Sequence, residues 1–439
     1  MRGIEAALKI LTENKDSGPF ASESLRKLAD REKMKAPDIT LASSLIYIVM
    51  RRRELWEKIA DEYLRAKESL PPEVYISVIT GAGGILELRR FSEGVLINGI
   101  VEYLKRNKNF VKYSGLVNAI LHRIKESASG KLERFKKSPS LEGRALGAGV
   151  PSWSLPVWMR TWSRQELNEL FALMDTPSFA SLRVKPGNFD YLMQLLSSQE
   201  IQAVKSDISD AIHLNESILP RNLPGFAEGL CTVQSEGSII AASLVKKYYS
   251  SGLILDMCSG RGVKAGQILQ ECDNAKIECW ELSGKKSESA KNELQRLGVS
   301  DRALMKVGDS LVLYPDDIPG FIILDSPCSC SGTWNRKPES KWRMDWKKLD
   351  GFASMQRKLL DRAVNLSVSG GYVLYITCSL LKPENENVVA DVLAKHNDCV
   401  EIPIDLRGQA FRRGRPYGLY IWPSNAWLDG FYCALILKR

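Results

Sequence analysis

Two cysteines lie fifty residues apart, each just past an apolar run. One stands in Asp325-Ser326-Pro327-Cys328-Ser329, the other in Tyr375-Ile376-Thr377-Cys378-Ser379. If the two runs are strands of one sheet, both thiols open into one crevice. Paired thiols beside a nucleotide suit methyl transfer to carbon 5 of a pyrimidine. Carbon 5 of cytosine is a poor nucleophile until a thiolate adds to carbon 6 and makes it enamine-like. Loss of the carbon-5 proton after methylation then expels the thiolate. The attacking thiol needs a pKa below its usual ~8.5, set by a helix N-terminus or a nearby cation. Cys378 suits this, because a helix is predicted to begin across Leu380–Glu386 and Lys382 follows closely. Asp325 ends an apolar run and is placed to hydrogen-bond cytosine N3; its plainer role is to cap the next turn. Cys328 would face the base and assist elimination. For any one cysteine, inert burial is the alternative.

A second motif resembles a cofactor loop. Asp256-Met257-Cys258-Ser259-Gly260-Arg261-Gly262-Val263-Lys264 follows a predicted strand and opens a predicted helix. Gly260 and Gly262 allow a ligand to approach the backbone where open α/β sheets bind ligands. Gly266 comes one residue too late for a dinucleotide fingerprint, which disfavours NAD. Glu281 ends the next strand, where an acid accepts ribose hydroxyls. Asp309 follows the third and suits an adenine amino group. Three acids in register point to an adenosine-type cofactor without pyrophosphate, S-adenosylmethionine. Each alone reads as a turn or helix cap.

The elements that must hold these residues alternate from about Gly229 onward. Strands are predicted at Leu253–Met257, Ile277–Glu281, Ala303–Val307, Phe321–Leu324 and Tyr372–Ile376. Helices are predicted at Lys285–Leu297 and Leu349–Val368, among others. This alternation predicts an α/β domain with a parallel sheet covered on both faces. Gly418–Trp422 and Phe431–Leu437 read as a closing antiparallel hairpin. Residues 1–140 read as helical, with Pro71-Pro72 and Gly81-Ala82-Gly83-Gly84 as breaks and Lys125–Ser140 as an exposed linker. Residues 150–225 read as a small α+β insert, and 226–439 as the catalytic domain.

The 439 residues suffice for two or three domains. No apolar run approaches the roughly 20 residues of a membrane helix. The N-terminus reads as an amphipathic helix without a signal-peptide core, so a cytoplasmic protein is expected. Nine cysteines, an odd number with no C-x-x-C pair, argue against a disulfide framework or a zinc ribbon. No metal is expected; Cys328 and Cys330 with distant partners are the one arrangement left open. Residues 1–150 hold 27 basic against 19 acidic side chains, and 101–150 hold 11 against 4. A basic first module beside a near-neutral second one suggests a polyanion held by the first and processed by the second. A solvated helical face is the plainer reading.

These motifs together resemble the RsmB-type (Sun/Fmu) ribosomal RNA cytosine-5 methyltransferases of the NOL1/NOP2/Sun group. Asp256 to Lys264 is similar to the family's D-x-C-A-A-P-G-G-K, and Asp325 to Ser329 to D-A-P-C-S. Arg336-Lys337-Pro338-Glu339-Ser340-Lys341-Trp342 resembles R-x-P-D-x-K-W. Thr377-Cys378-Ser379 with Glu384-Asn385-Glu386 resembles T-C-S…E-N-E. Val233-Gln234 with Ser238 is similar to V-Q-D-x-x-S, and Asp429-Gly430-Phe431-Tyr432 to D-G-F-F. Gly115 to Leu121 resembles the F-V-N-A-V-L of the NusB-like RNA-binding domain found at the family's N-terminus.

The resemblance implies a Rossmann-like S-adenosylmethionine-dependent methyltransferase domain behind an all-helical NusB-like domain. It also implies a ribosomal RNA partner and a monomer. Cys378 would be the nucleophile, and Cys328 would help release product. Cys258, Ser259, Gly260, Arg261, Gly262, Val263, Lys264, Glu281, Asp309 and Asp325 would contact the cofactor or lie against it. The reverse assignment, Cys328 as nucleophile, is disfavoured by the Thr-Cys-Ser motif. Departures from the family are Ser259-Gly260-Arg261-Gly262-Val263 for A-A-P-G-G, Cys330 for glycine and Ser235 for aspartate. Arg261 would crowd the cofactor or reach its carboxylate. Trp334, Arg336 and Lys337 would stack on or clamp flanking RNA. Two alternatives remain: an RNA-binding protein with a decayed catalytic domain, and a methyltransferase for a protein or small molecule.

Overall fold

The computed structural model describes residues 2–13, 19–65, 67–88, 91–176, 179–216 and 218–439. They form two compact units: residues 1–175 with 334–345, and residues 176–333 with 346–439. Among the described residues, no helix is long and apolar enough to cross a membrane.

The first unit is helical. Its opening helix, Arg2–Glu13, buries Ile4, Ala7, Leu8 and Leu11 on one face (Met1 lies outside the described residues). Helix Pro72–Glu87 runs unbroken through Gly81 to Gly84, which the sequence marks as a break. Close packing explains the glycines. A Cβ at Gly81 would lie 2.4 Å from Leu121 Cδ2, and one at Gly84 would lie 2.4 Å from Leu96 Cδ2. The segment 125–140 is not a linker: helix Ser114–Ser127 extends into it, helix Lys131–Lys136 follows, and Ser140 caps helix Leu141–Ala148. Leu132 is buried there, so the lysine-rich stretch carries its own apolar anchor. Helices continue to Met174 and end the first unit at Asp175, beyond the boundary expected near 140.

The chain returns to this unit at Trp334–Asp345. Lys341 is fully buried there and donates to the carbonyls of Arg51 (2.6 Å) and Gly149 (2.5 Å). Burial, then the Arg52 and Arg51 charges, push its pKa well below the lysine range. Trp334 is 1% exposed and packs against Trp153 and Trp158 at 6.0 and 5.4 Å. It is core, which removes it as an RNA-stacking platform.

The second unit holds both sheets. A small antiparallel sheet has strands β1 (Ser181–Val184), β2 (Ala203–Lys205), β3 (Ala211–Leu214) and β4 (Cys231–Val233), in the order β2-β3-β1-β4. Helix Phe189–Ser198 lies between β1 and β2 in the chain, as the periodicity predicts. The large sheet comprises β5 (Leu253–Asp256), β6 (Lys276–Glu281), β7 (Ala303–Val307), β8 (Pro319–Asp325), β9 (Tyr372–Thr377), β10 (Cys399–Ile402), β11 (Phe411–Arg413), β12 (Leu419–Ile421) and β13 (Phe431–Lys438). Its order is β11-β12-β13-β9-β8-β5-β6-β7, with β10 beside β13. Strands β5 to β9 pair in parallel, and β13 closes antiparallel against β9. The five parallel strands are those read from the sequence, and β12 and β13 form the expected antiparallel pair. Buried runs such as Phe321–Leu324 fit strands covered on both faces. From β5 the chain moves outward through β6 and β7, then resumes on the other side with β8. The strand order reverses between β5 and β8, and open α/β sheets bind ligands at such a point.

Candidate active site

The crevice at the carboxyl ends of β5 and β8 collects most of the residues singled out by the sequence. Gly260 and Gly262 both take left-handed backbone conformations, at φ +58° and +73°. A Cβ at Gly260 would meet nothing within 4 Å, so the loop is open on that side. Helix Val263–Glu271 starts directly after Gly262. Ser259 ties the loop to β6, its amide and hydroxyl both donating to the Trp280 carbonyl (2.9 and 3.2 Å). Arg261 is exposed.

Asp256 ends β5, fully buried, with no hydrogen-bond partner for Oδ1. Burial, then the charge of Asp325, pushes its pKa up to about 7. Cys258 is raised still further, first by burial and then by Asp256 and Asp325, so it is an inert thiol. Glu281 ends β6, with its side chain 8% exposed and accepting the Ser283 amide at 2.9 Å. Asp309 is exposed and accepts the Leu311 amide at 2.9 Å. Both acids thus perform the capping role that is their plainer reading, at the strand ends where a nucleoside would lie. An open glycine loop, an orphaned buried carboxylate oxygen and an acid at the second strand end fit an adenosine cofactor.

Strands β8 and β9 pair with Asp325 opposite Ile376. This register brings Cys328 and Cys378 together, and their sulfurs are 3.4 Å apart. Lys264 Nζ donates to Asp325 Oδ2 at 2.5 Å. Burial works to lower the Lys264 pKa, but the charge and hydrogen bond of Asp325, with Cys378 and Asp256, leave it above the ordinary lysine value. The cation acting on Cys378 is therefore Lys264. Lys382, expected from sequence proximity, instead donates to the Arg415 carbonyl on the surface. The helix after Cys378 starts only at Glu386, behind a short 3-10 turn at Lys382–Glu384, so its N-terminus does not begin at the thiol as expected. Cys328 behaves differently. Hydrogen bonds with Cys330 and Cys378, then burial, raise its pKa well above the thiol range and keep it protonated.

Three residues that the sequence reading named, but with no role in holding the site, contribute to it. Buried Glu384 accepts the Ser329 amide (2.8 Å), the Ser329 and Ser379 hydroxyls (2.5 Å each) and Gln356 Nε2 (3.1 Å), so it joins both cysteine loops. Asn385 accepts the Thr377 hydroxyl (2.6 Å) and donates to the Ser379 carbonyl (2.9 Å). The third is Cys330, whose φ of +59° lies in the left-handed region that favours glycine. A carboxylate and an amide placed five and six residues past Thr-Cys-Ser were the available signal for the first two.

Comparison with known proteins bears on this arrangement. A family model described as 16S rRNA methyltransferase RsmB/F matches residues 245–437, and a NusB family model matches 4–126. Ribosomal RNA small subunit methyltransferase B of Sodalis glossinidius is 30% identical over 340 residues, covering 75% of this chain and 73% of that one. The chain belongs to the RsmB/F methyltransferase family. The same-named protein of Xanthomonas campestris is 26% identical over 411 residues, covering 91% and 89%. The crystal structure of PH0851 shares the fold, with a TM-score of 0.80 at 21% identity and 100% and 98% coverage. This RsmB/F member is an S-adenosylmethionine-dependent methyltransferase with a NusB domain at its N-terminus.

Proposed function

We propose that the chain methylates carbon 5 of a cytosine in small-subunit ribosomal RNA, with Cys378 as nucleophile and Cys328 as the residue that releases product. The observation that carries this reading is the pair of sulfurs 3.4 Å apart; the Lys264 charge acting on Cys378 and the raised pKa of Cys328 support the division of roles.

The loop from Cys258 to Lys264, with Glu281 and Asp309, would hold S-adenosylmethionine, which when bound supplies the methyl group. Lys264 favours the Cys378 thiolate, and the thiolate adds to carbon 6 of the cytosine. Asp325, fixed by Lys264, would face the base edge; sharing a proton with N3, it would hydrogen-bond N3 and stabilise the charge that develops there. After carbon 5 is methylated, its proton is lost to a base and the carbon–sulfur bond breaks. The electrons of the broken carbon–hydrogen bond form the double bond between carbons 5 and 6, Cys378 leaves as the thiolate, and the Cys328 thiol in contact with it donates a hydrogen bond to the departing sulfur. A base must leave its RNA stack to enter the crevice, so a single-stranded or loop target fits best. The NusB domain at the N-terminus, with the 11 basic residues in 101–150, supplies the polyanion-binding surface.

The test uses Cys328→Ala and Cys378→Ala proteins with small-subunit ribosomal RNA and methyl-labelled S-adenosylmethionine, resolved on a denaturing gel. A labelled protein–RNA band is expected from Cys328→Ala and none from Cys378→Ala. A band from Cys378→Ala instead would reverse the two roles. No transfer by the wild type, with cofactor still bound, would remove this RNA as substrate.

A further inference from the structure

The crevice contains a third sulfur that the methyl-transfer chemistry does not use. The sulfurs of Cys328, Cys330 and Cys378 all lie within 4.8 Å of one another, and all three residues are half-buried. A tetrahedral zinc site with metal–sulfur bonds near 2.3 Å places its sulfurs about 3.8 Å apart. The trio needs only small side-chain rotations to reach that spacing. Cys330 reaches this position because its backbone adopts the left-handed conformation, and its thiol donates to the Cys328 carbonyl at 3.5 Å. Lys264 provides a positive charge beside the group. Three thiolates and a dication carry a net charge of minus one, which that ammonium offsets.

We propose that Cys328, Cys330 and Cys378 form a site for one thiophilic d10 dication, zinc or cadmium, with water in the fourth position. Cys328 and Cys330 each give a proton to solvent as their sulfurs bind, and Cys378 binds as the thiolate that Lys264 favours. Two protons therefore leave per ion bound, and no electron is transferred. Occupation takes the Cys378 sulfur out of reaction, so the ion is a reversible inhibitor; this consequence rests on Cys378 being the nucleophile. A glycine at position 330 leaves only two sulfurs and a much weaker site.

The experiment titrates reduced full-length protein with chelator-buffered cadmium and reads the sulfur-to-metal charge-transfer absorption, with Cys330→Gly and Cys330→Ser in parallel. Glycine suits the backbone at this position, and serine tests the sulfur with the side chain kept. The wild type is expected to bind one ion with three-sulfur intensity. Both variants are expected to lose about a third of that intensity and to bind at least tenfold more weakly. Equal intensity and affinity in wild type and both variants, or no absorption in the wild type, would overturn the site. Methyl transfer is then followed at each cadmium level relative to each protein's metal-free rate. Inhibition tracking wild-type occupancy and reversed by chelator is expected. A filled three-sulfur site with undiminished transfer would leave the metal site standing and overturn Cys378 as nucleophile.

Discussion

Lys264 has two partners, the Asp325 carboxylate and the Cys378 sulfur, and removing its charge should affect each differently. A neighbouring opposite charge lowers a thiol pKa by about one unit or more. Lys264→Met should therefore move the rising limb of the pH–rate profile to higher pH by about one unit or more, with cofactor affinity changed much less. Single-turnover methylation across pH checks this, and an unmoved limb would place the activating group elsewhere. Asp256 makes a separate prediction. Its pKa rises from 3.8 to about 7 on folding. Between those values the folded protein keeps a proton that the unfolded chain gives up, so stability falls as pH rises through that window. Asp256→Asn lacks this dependence. In thermal unfolding of cofactor-free protein, it should gain on the wild type from pH 5 to pH 8, by about 3 kcal/mol at most.

At the scale of elements, the parallel pairing of β8 and β9 accounts for the meeting of the cysteines, and Glu384 accounts for their persistence there. Its carboxylate accepts four hydrogen bonds from two loops and a helix while nearly fully buried. Burial raises its pKa, and the hydrogen bonds from Ser329, Ser379 and Gln356 oppose the rise. Glu384→Ala would leave buried donors without an acceptor, at a cost of about 3–5 kcal/mol. In denaturant titration the loss should appear in stability. Where the variant still folds, kcat should fall more than KM changes, because the misplaced groups act after binding. A Glu384→Ala protein as stable and active as wild type would show that the backbone alone sets the loops. This residue was visible only as part of a motif. Its partners, Ser329, Ser379 and Gln356, lie 55, 5 and 28 residues away, and no local periodicity signals such a convergence.

For the whole molecule, charge is the long-range property. With 27 basic against 19 acidic residues in 1–150, the logarithm of RNA affinity should fall linearly with the logarithm of salt concentration. Each phosphate contact contributes about 0.7–0.9 to the slope. Lys108→Ala and Lys112→Ala, both at exposed positions, should together reduce the slope by about 1.5 and weaken binding to unrelated RNA by the same factor. Filter binding over a salt series measures both. An unchanged slope would put the phosphate path on another face.

The sequence alone determined the five parallel strands, the helices between them, both cysteine motifs and the family, because apolar periodicity and strand-end motifs are local signals. It misjudged Gly81 to Gly84 and Lys125 to Ser140, where composition suggested a break and a linker but packing against Leu121, Leu96 and the buried Leu132 sustains helices. It also placed Trp334 on an RNA surface, whereas the chain carries that residue into the helical unit and buries it among tryptophans. Tertiary structure decided which cation serves Cys378, which acid joins the two loops and that a third thiol stands beside the pair Cys328 and Cys378. These are distances between residues remote in the chain, and they are set by the order and register in which the strands assemble.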